Sequence, residues 1–253
     1  LLISDVEVLL QIVGGNRGDN LIEGLPDQPN VLDGRQGVDT LVGGTAADTY
    51  AFGIGYDFDQ VQEQTDAVGV IDRVVFGGAV RADDLQLRRD GDDLQVDLGN
   101  GTDVLTIVGG LAANTVEQFL FADGTILTLE DIRTRMLIGS DGNDQLIGFD
   151  GRSDVLDGGQ GSDALIGGTG NDIYRFGYGG GQDEIIDTGG IDTLEFRFLG
   201  RQSALGDDPE WLTYWVSGPP PGATPALPKL AELTIKFNDG RDLTQVFFVG
   251  ADQ

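Results

Sequence analysis

Asp19, Asp39, Asp48, Asp59, Asp144, Asp154, Asp163, Asp172 and Asp183 share one local setting: a glycine-rich turn precedes each, and an apolar residue follows two places later. The fullest run is Gly158-Gly159-Gln160-Gly161-Ser162-Asp163-Ala164-Leu165-Ile166, joined without a gap to Gly167-Gly168-Thr169-Gly170-Asn171-Asp172-Ile173-Tyr174-Arg175. Such a unit, G-G-x-G-x-D-x-(apolar)-x, is a glycine turn that presents carbonyl oxygens, a carboxylate at its exit, and a strand too short to stand alone. Carboxylates and carbonyls are hard oxygen donors, suited to holding a hard cation.

The composition narrows that chemistry. The chain has 253 residues with 15 basic and 43 acidic side chains, a net charge of -28, and neither cysteine nor histidine. Disulfides, thiolate or imidazole metal sites and histidine-based triads are therefore excluded. The acidic balance argues against nucleic acid or an anionic membrane surface as partner. What remains for a metal is an all-oxygen site, which points to several calcium ions rather than a transition metal. No apolar run reaches the ~18 residues of a membrane span. The opening Leu1-Leu2-Ile3-Ser4-Asp5 lacks the basic start of a signal peptide, and the chain reads as a segment of something longer.

The elements that position these oxygens follow from the repeat. Its acidic position recurs at Asp19, Asn30, Asp39, Asp48, Asp59 and Asp72, then at Asp144, Asp154, Asp163, Asp172, Asp183 and Asp192, with nine residues as the base period. The apolar residue two places on, from Leu21 to Leu194, points inward. Two units make one coil of turn, strand, turn and strand, and neighbouring coils pair about 4.8 Å apart. Turns of alternate units then share an edge. Asp19, Asp39 and Asp59 stack on one edge, with Asn30, Asp48 and Asp72 opposite. In the second copy Asp144, Asp163 and Asp183 face the edge of Asp154, Asp172 and Asp192. A single unit has no partner for its apolar face, so stability comes from the array.

Between the copies, residues 85–108 alternate apolar and polar positions across Asn100-Gly101-Thr102 and read as hairpin strands. The expected fold is all-β: parallel β-rolls flanked by antiparallel hairpin segments in two tandem modules. The expected divisions are 1–13 (tail of a preceding module), 14–76 (first roll), 77–135 (hairpin segment), 136–196 (second roll) and 197–253 (second β segment). Residues 232–237 and 243–249 echo the first hairpins.

The candidate ligands are the repeat's acids and the glycines whose turn carbonyls face inward. In the first module they are Asp19, Gly34, Gly37, Asp39, Gly43, Gly44, Asp48 and Asp59. In the second they are Gly139, Asp141, Gly142, Asp144, Gly148, Asp154, Gly158, Gly159, Gly161, Asp163, Gly167, Gly168, Gly170, Asp172 and Asp183. The first module departs from the pattern at Arg17, Asn30, Arg35, Ala46 and Ala47 and in the insertion Leu25-Pro26-Asp27-Gln28-Pro29, so fewer or weaker sites are expected there. Asp72 and Asp192 keep the register without the full glycine run.

These residues bring a family into view. The nonapeptide resembles the RTX (repeats-in-toxin) unit of calcium-binding β-roll proteins, a pattern widely known for that repeat. The intervening segment resembles the hemolysin-type calcium-binding-related segment beside such repeats. The resemblance implies type I secretion, a secreted or cell-surface location, and folding driven by calcium outside the cell. It leaves the host protein's activity open.

The competing readings are weaker. A lone Gly-Asn-Asp is an ordinary turn, and a phosphate loop would need a Lys-Ser/Thr ending and a helix. Acid pairs such as Asp83-Asp84 and Asp92-Asp93 have no separation fixed by the sequence, so no glycosidase pair is assigned. The chain is expected to be a non-catalytic monomer acting as a folding module. The alternative is a calcium-dependent adhesin or carbohydrate-binding repeat, of a surface protein or an epimerase-like enzyme. It would take glycans or surface proteins as partners, with Trp211, Tyr214 and Trp215 beside Pro219-Pro220-Pro221 as the contact surface.

Overall fold

A computed structural model describes residues 11–64, 67–112, 115–177, 180, 182–197, 215–217 and 234–237. The chain divides into two compact units, Leu1–Arg133 and Thr134–Gln253.

In the first unit the coils begin with β1 (Gln11–Gly14), β2 (Leu21–Glu23), β3 (Asn30–Asp33) and β4 (Thr40–Val42). They continue with β5 (Thr49–Phe52), β6 (Phe58–Gln62) and β7 (Arg73–Phe76). Odd strands stack in parallel as one sheet and even strands as the other. From β2 to β7 each strand sends one or two side chains into the space between the sheets, and Leu32, Leu41, Tyr50, Val61 and Val74 are completely buried there. Burying each such side chain contributes about 1.5–3 kcal/mol, and the coil above and below supplies the cover.

The following segment closes this roll. β8 (Gln86–Asp90), β9 (Asp93–Asp97) and β10 (Val104–Val108) form a meander, and β11 (Gln118–Leu120) and β12 (Ile126–Thr128) a hairpin. β10 joins β6 in parallel and β11 joins β7 in parallel, while the remaining strands add antiparallel. The hairpins thus prolong both sheets of the roll. Asp97 Oδ1 accepts from the Gly99 and Gly101 amides at 2.9 and 3.1 Å, forming the expected turn around Asn100. Among the described residues, the departures from an all-β fold are a 3-10 turn at Ala82–Asp84 and α1 (Leu129–Arg135), which buries Leu129 and Ile132. Thr128 and Asp131 cap its start reciprocally, the Asp131 amide donating to Thr128 Oγ1 at 3.1 Å and the Thr128 amide to Asp131 Oδ2 at 2.8 Å.

The second unit repeats the coils with β13 (Gln145–Ile147), β14 (Val155–Asp157), β15 (Ala164–Ile166) and β16 (Ile173–Gly177). β17 (Glu184–Ile186), β18 (Thr193–Arg197), β19 (Trp215–Ser217) and β20 (Thr234–Phe237) follow. Among the described residues of this unit the pairings are parallel, in sheets β13-β15-β17-β19 and β14-β16-β18-β20. Leu156 and Leu165 are completely buried, and Tyr174 is nearly so. Residues 234–237, aligned by pattern with the first hairpins, pair in parallel with β18. Residues 1–10, Trp211, Tyr214, the prolines at 219–221 and residues 243–249 lie outside the described residues.

Candidate metal centre

Each coil's turn ends on the acid that enters the strand, and the structure ties these acids into ladders. The backbone amide of one acidic position donates to Oδ1 of the acid one coil later. On the first edge Asn20 donates to Asp39 at 2.7 Å and Asp39 to Asp59 at 2.9 Å. Opposite, Asn30 donates to Asp48 at 2.7 Å and Asp48 to Asp72 at 2.6 Å. In the second unit Asp144 donates to Asp163 at 2.9 Å and Asp163 to Asp183 at 3.0 Å. Asp154 donates to Asp172 at 2.8 Å and Asp172 to Asp192 at 2.9 Å. Asp72 and Asp192, which lack the full glycine run, therefore take full part.

One register correction emerges. Asn20, not Asp19, aligns with Asp39, and Ile22 rather than Leu21 faces the core: Leu21 is 66% exposed and Ile22 5%. Asp19 Oδ1 instead accepts from the Val38 amide at 2.9 Å. Two adjacent apolar residues satisfied the sequence pattern equally well, and pairing with β4 selects the second.

The other carboxylate oxygen is the chemically informative one. Oδ2 of Asp39, Asp59, Asp163 and Asp172 is buried with no hydrogen-bond donor. These oxygens lie over the glycine turns: a Cβ on Gly34 would fall 2.5 Å from Asp39 Oδ2, and Gly158 stands in the same relation to Asp163. Gly139 and Gly148 leave room for Asp144 Oδ2 and Asp154 Oδ2, each 3.0 Å from such a Cβ. Here Ser140 N at 2.6 Å and Phe149 N at 2.6 Å serve as donors. Gly44 N likewise donates to Asp48 Oδ2 at 2.7 Å.

Burying uncompensated carboxylates has the expected electrostatic result. Burial pushes Asp59 up to about 7, with the Asp39 and Asp57 charges adding to it. It pushes Asp172 to about 6 and Asp183 to about 6, in each case beside a neighbouring carboxylate. Asp39, Asp163 and Asp192 are raised by the same cause. Asp103, at the β9–β10 turn, shows the contrast. Burial raises it too, but hydrogen bonds from Gly55 N at 3.0 Å, Asp57 N at 2.9 Å and Asn100 Nδ2 at 2.5 Å outweigh that and hold it below the ordinary range.

Two side clusters extend the donor sets, and the sequence reading did not assign their outer acids. Oxygens of Asp48, Glu63 and Asp72 lie within 4.8 Å of one another, as do those of Asp172, Asp187 and Asp192. The Tyr50 hydroxyl donates to Glu63 and the Tyr174 hydroxyl to Asp187. Burial, then the facing carboxylate, drives both phenols well above the ordinary tyrosine range. A Cβ on Gly167 would fall 2.5 Å from Asp172 Oδ2 and 2.8 Å from Asp187 Oδ2, so the space over this glycine is ringed by oxygen. In both units the acid lies thirteen residues after the tyrosine, a shared offset that could have revealed it.

The other proposed glycines line the turns. Gly37 N donates to Asp57 Oδ2 at 3.1 Å, and the Gly168 carbonyl accepts from Thr188 N and Gly189 N at 3.1 Å. Gly161, with a φ of 125°, passes close to the Gly142 carbonyl, and Gly170 close to the Arg152 carbonyl. Gly43 abuts Tyr50 and Glu63, and Gly159 abuts the Ser140 carbonyl. Asp141 is exposed and accepts from Gln160 Nε2 at 3.0 Å.

Stacked carboxylates with undonated oxygens, set among turn carbonyls, fit a hard cation and the all-oxygen sets that calcium accepts. Fold and site together define the class: a β-solenoid whose turn edges carry acidic groups able to hold metal ions. Residues 93–131 match the family model of the haemolysin-type calcium binding protein related domain. The matched residues include β9 to β12, the strands that close the first roll. Among solved structures, the extracellular lipase LipA from Serratia marcescens is similar at 16% identity and a TM-score of 0.21, over 72% of this chain and 31% of that one. The chain thus spans about a third of that lipase's length. No curated protein matches in sequence. Among the described residues, no helix is long and apolar enough to cross a membrane.

Proposed function

We propose that the chain is an extracellular calcium-binding module that folds when calcium fills its turn edges, and that it serves a larger secreted protein as a non-catalytic folding element. The observation that carries this reading is the set of buried Oδ2 atoms without donors at Asp39, Asp59, Asp163 and Asp172. A buried carboxylate without a partner is costly, and a cation shared between stacked turns removes that cost. The net charge of -28 acts in the same direction. Where calcium is scarce, repulsion and short strands hold the chain loose, which suits passage through a type I exporter. At millimolar calcium, binding free energy becomes folding free energy.

Calcium titration followed by far-ultraviolet circular dichroism and calorimetry tests this. The expectation is cooperative gain of β-structure with several ions bound per chain. A calcium-free spectrum identical to the loaded one, with no heat of binding, would sink the proposal.

A further inference from the structure

Asn30 occupies a ladder position, and its side chain does what a cation would do there. It is completely buried, and its environment matches that of Asp154 in the second unit. Asn30 N donates to Asp48 Oδ1 as Asp154 N donates to Asp172 Oδ1. Asn30 Oδ1 accepts from Leu25 N at 2.9 Å, just as Asp154 Oδ2 accepts from Phe149 N at 2.6 Å. The amide nitrogen therefore stands where the second carboxylate oxygen would be.

That nitrogen faces three oxygens. Nδ2 donates to the Leu25 carbonyl at 3.1 Å, the Gln28 carbonyl at 2.7 Å and Asp48 Oδ1 at 2.8 Å. Its orientation is fixed by the partners, because carbonyl oxygens only accept and Leu25 N only donates. Two carbonyls of one turn and a carboxylate of the next coil are the kind of oxygen set a turn offers to calcium. An NH2 group carries partial positive charge, shares its two hydrogens among the three oxygens, and has no lone pair for a metal. It also fills the turn: a Cβ on Gly24 would fall 2.6 Å from Nδ2. At the matching place in the second unit a positive group is again at hand, with Arg152 Nε 3.7 Å from Asp154 Oδ1.

We infer that the Asn30 carboxamide replaces a calcium ion in its turn, so that this rung is closed by the protein alone and takes no metal. This rests on the calcium reading above. It gives the first roll one rung whose geometry does not depend on the calcium supply.

The test counts bound calcium by calorimetry on the full chain, made calcium-free and then titrated. Asn30→Asp restores a carboxylate to a ready-made oxygen set and is expected to bind one more calcium per chain than the wild type. Asn30→Ala is expected to leave the count unchanged, since no ligand is lost. An unchanged count in Asn30→Asp, or a count one lower in Asn30→Ala, overturns the inference. If Asn30→Asp does not fold at saturating calcium, the Asn30→Ala count decides alone. A wild-type chain that binds no calcium removes the wider calcium reading and this inference with it, a result distinct from failure of the Asn30 rung.

Discussion

Without calcium, acidification should stabilise this fold, and the second unit sets the magnitude. Asp172 and Asp183 have folded-state values of about 6 against an ordinary 3.8. At about 1.36 kcal/mol per pH unit, each carboxylate costs about 3 kcal/mol when charged in the fold. Water reaching the turn edges screens part of this, so about half, or about 3 kcal/mol for the pair, is the working figure. The sign follows from proton counting. Between 3.8 and about 6 the folded state binds more protons than the unfolded one, so stability is greatest below that window and is lost as pH rises through it. The calcium-free chain should therefore shift toward the folded state by about 1.5 kcal/mol, half of that figure, between about pH 7.5 and about pH 5, read as β-structure gained in far-ultraviolet circular dichroism. With calcium saturating, the dependence should reverse, because protons compete with the metal for the same oxygens. A calcium-free chain whose β-structure is flat or rises from about pH 5 to about pH 7.5 refutes the argument.

Three further outcomes follow from single contacts. Gly170→Ala drives a Cβ into the Arg152 carbonyl and should cost about 3 kcal/mol, whereas Gly151→Ala, left-handed but in open space, should cost about 1 kcal/mol; equal urea midpoints would contradict this. Tyr174→Phe removes the donor to Asp187 and should lower stability in saturating calcium by about 1.5–3 kcal/mol, read from the shift in denaturation midpoint. Arg35 holds a φ of 72°, the conformation Gly159 adopts in the second unit, so Arg35→Gly should raise the melting temperature by relieving about 1 kcal/mol of backbone strain. Its ion pair with Asp33 is exposed and offsets little of that gain.

The repeat made the coils legible because position and period coincide: a glycine turn, an acid, then a buried Leu, Val, Ile or Tyr. Where two positions were equally good, sequence alone had no means of choosing, as at Leu21 and Ile22. Glu63 and Asp187 escaped notice because they lie off the nonapeptide and become partners only when the tyrosine thirteen residues earlier is buried beside them. The hairpin at Asn100 was readable from its turn chemistry. Its attachment was not, since pairing β10 with β6 is a long-range choice that local alternation does not encode. Asn30 read as a lost aspartate; the structure shows a side chain with every polar atom engaged.

The amide-to-carboxylate ladders also give the roll a direction. A coil's acidic amide is satisfied by the coil that comes after it, so each coil stays incomplete until the next is laid down. Repetition by itself therefore supplies no last coil. In the first unit the end is written by the segment that follows: Asp72 N finds Glu117 Oε2 at 2.8 Å, and the amides of Gly55 and Asp57 find Asp103. Both acids sit among the hairpin strands, outside the nonapeptide. The length of this roll is thus set less by how many repeats the chain contains than by where it places two acids that do not belong to them.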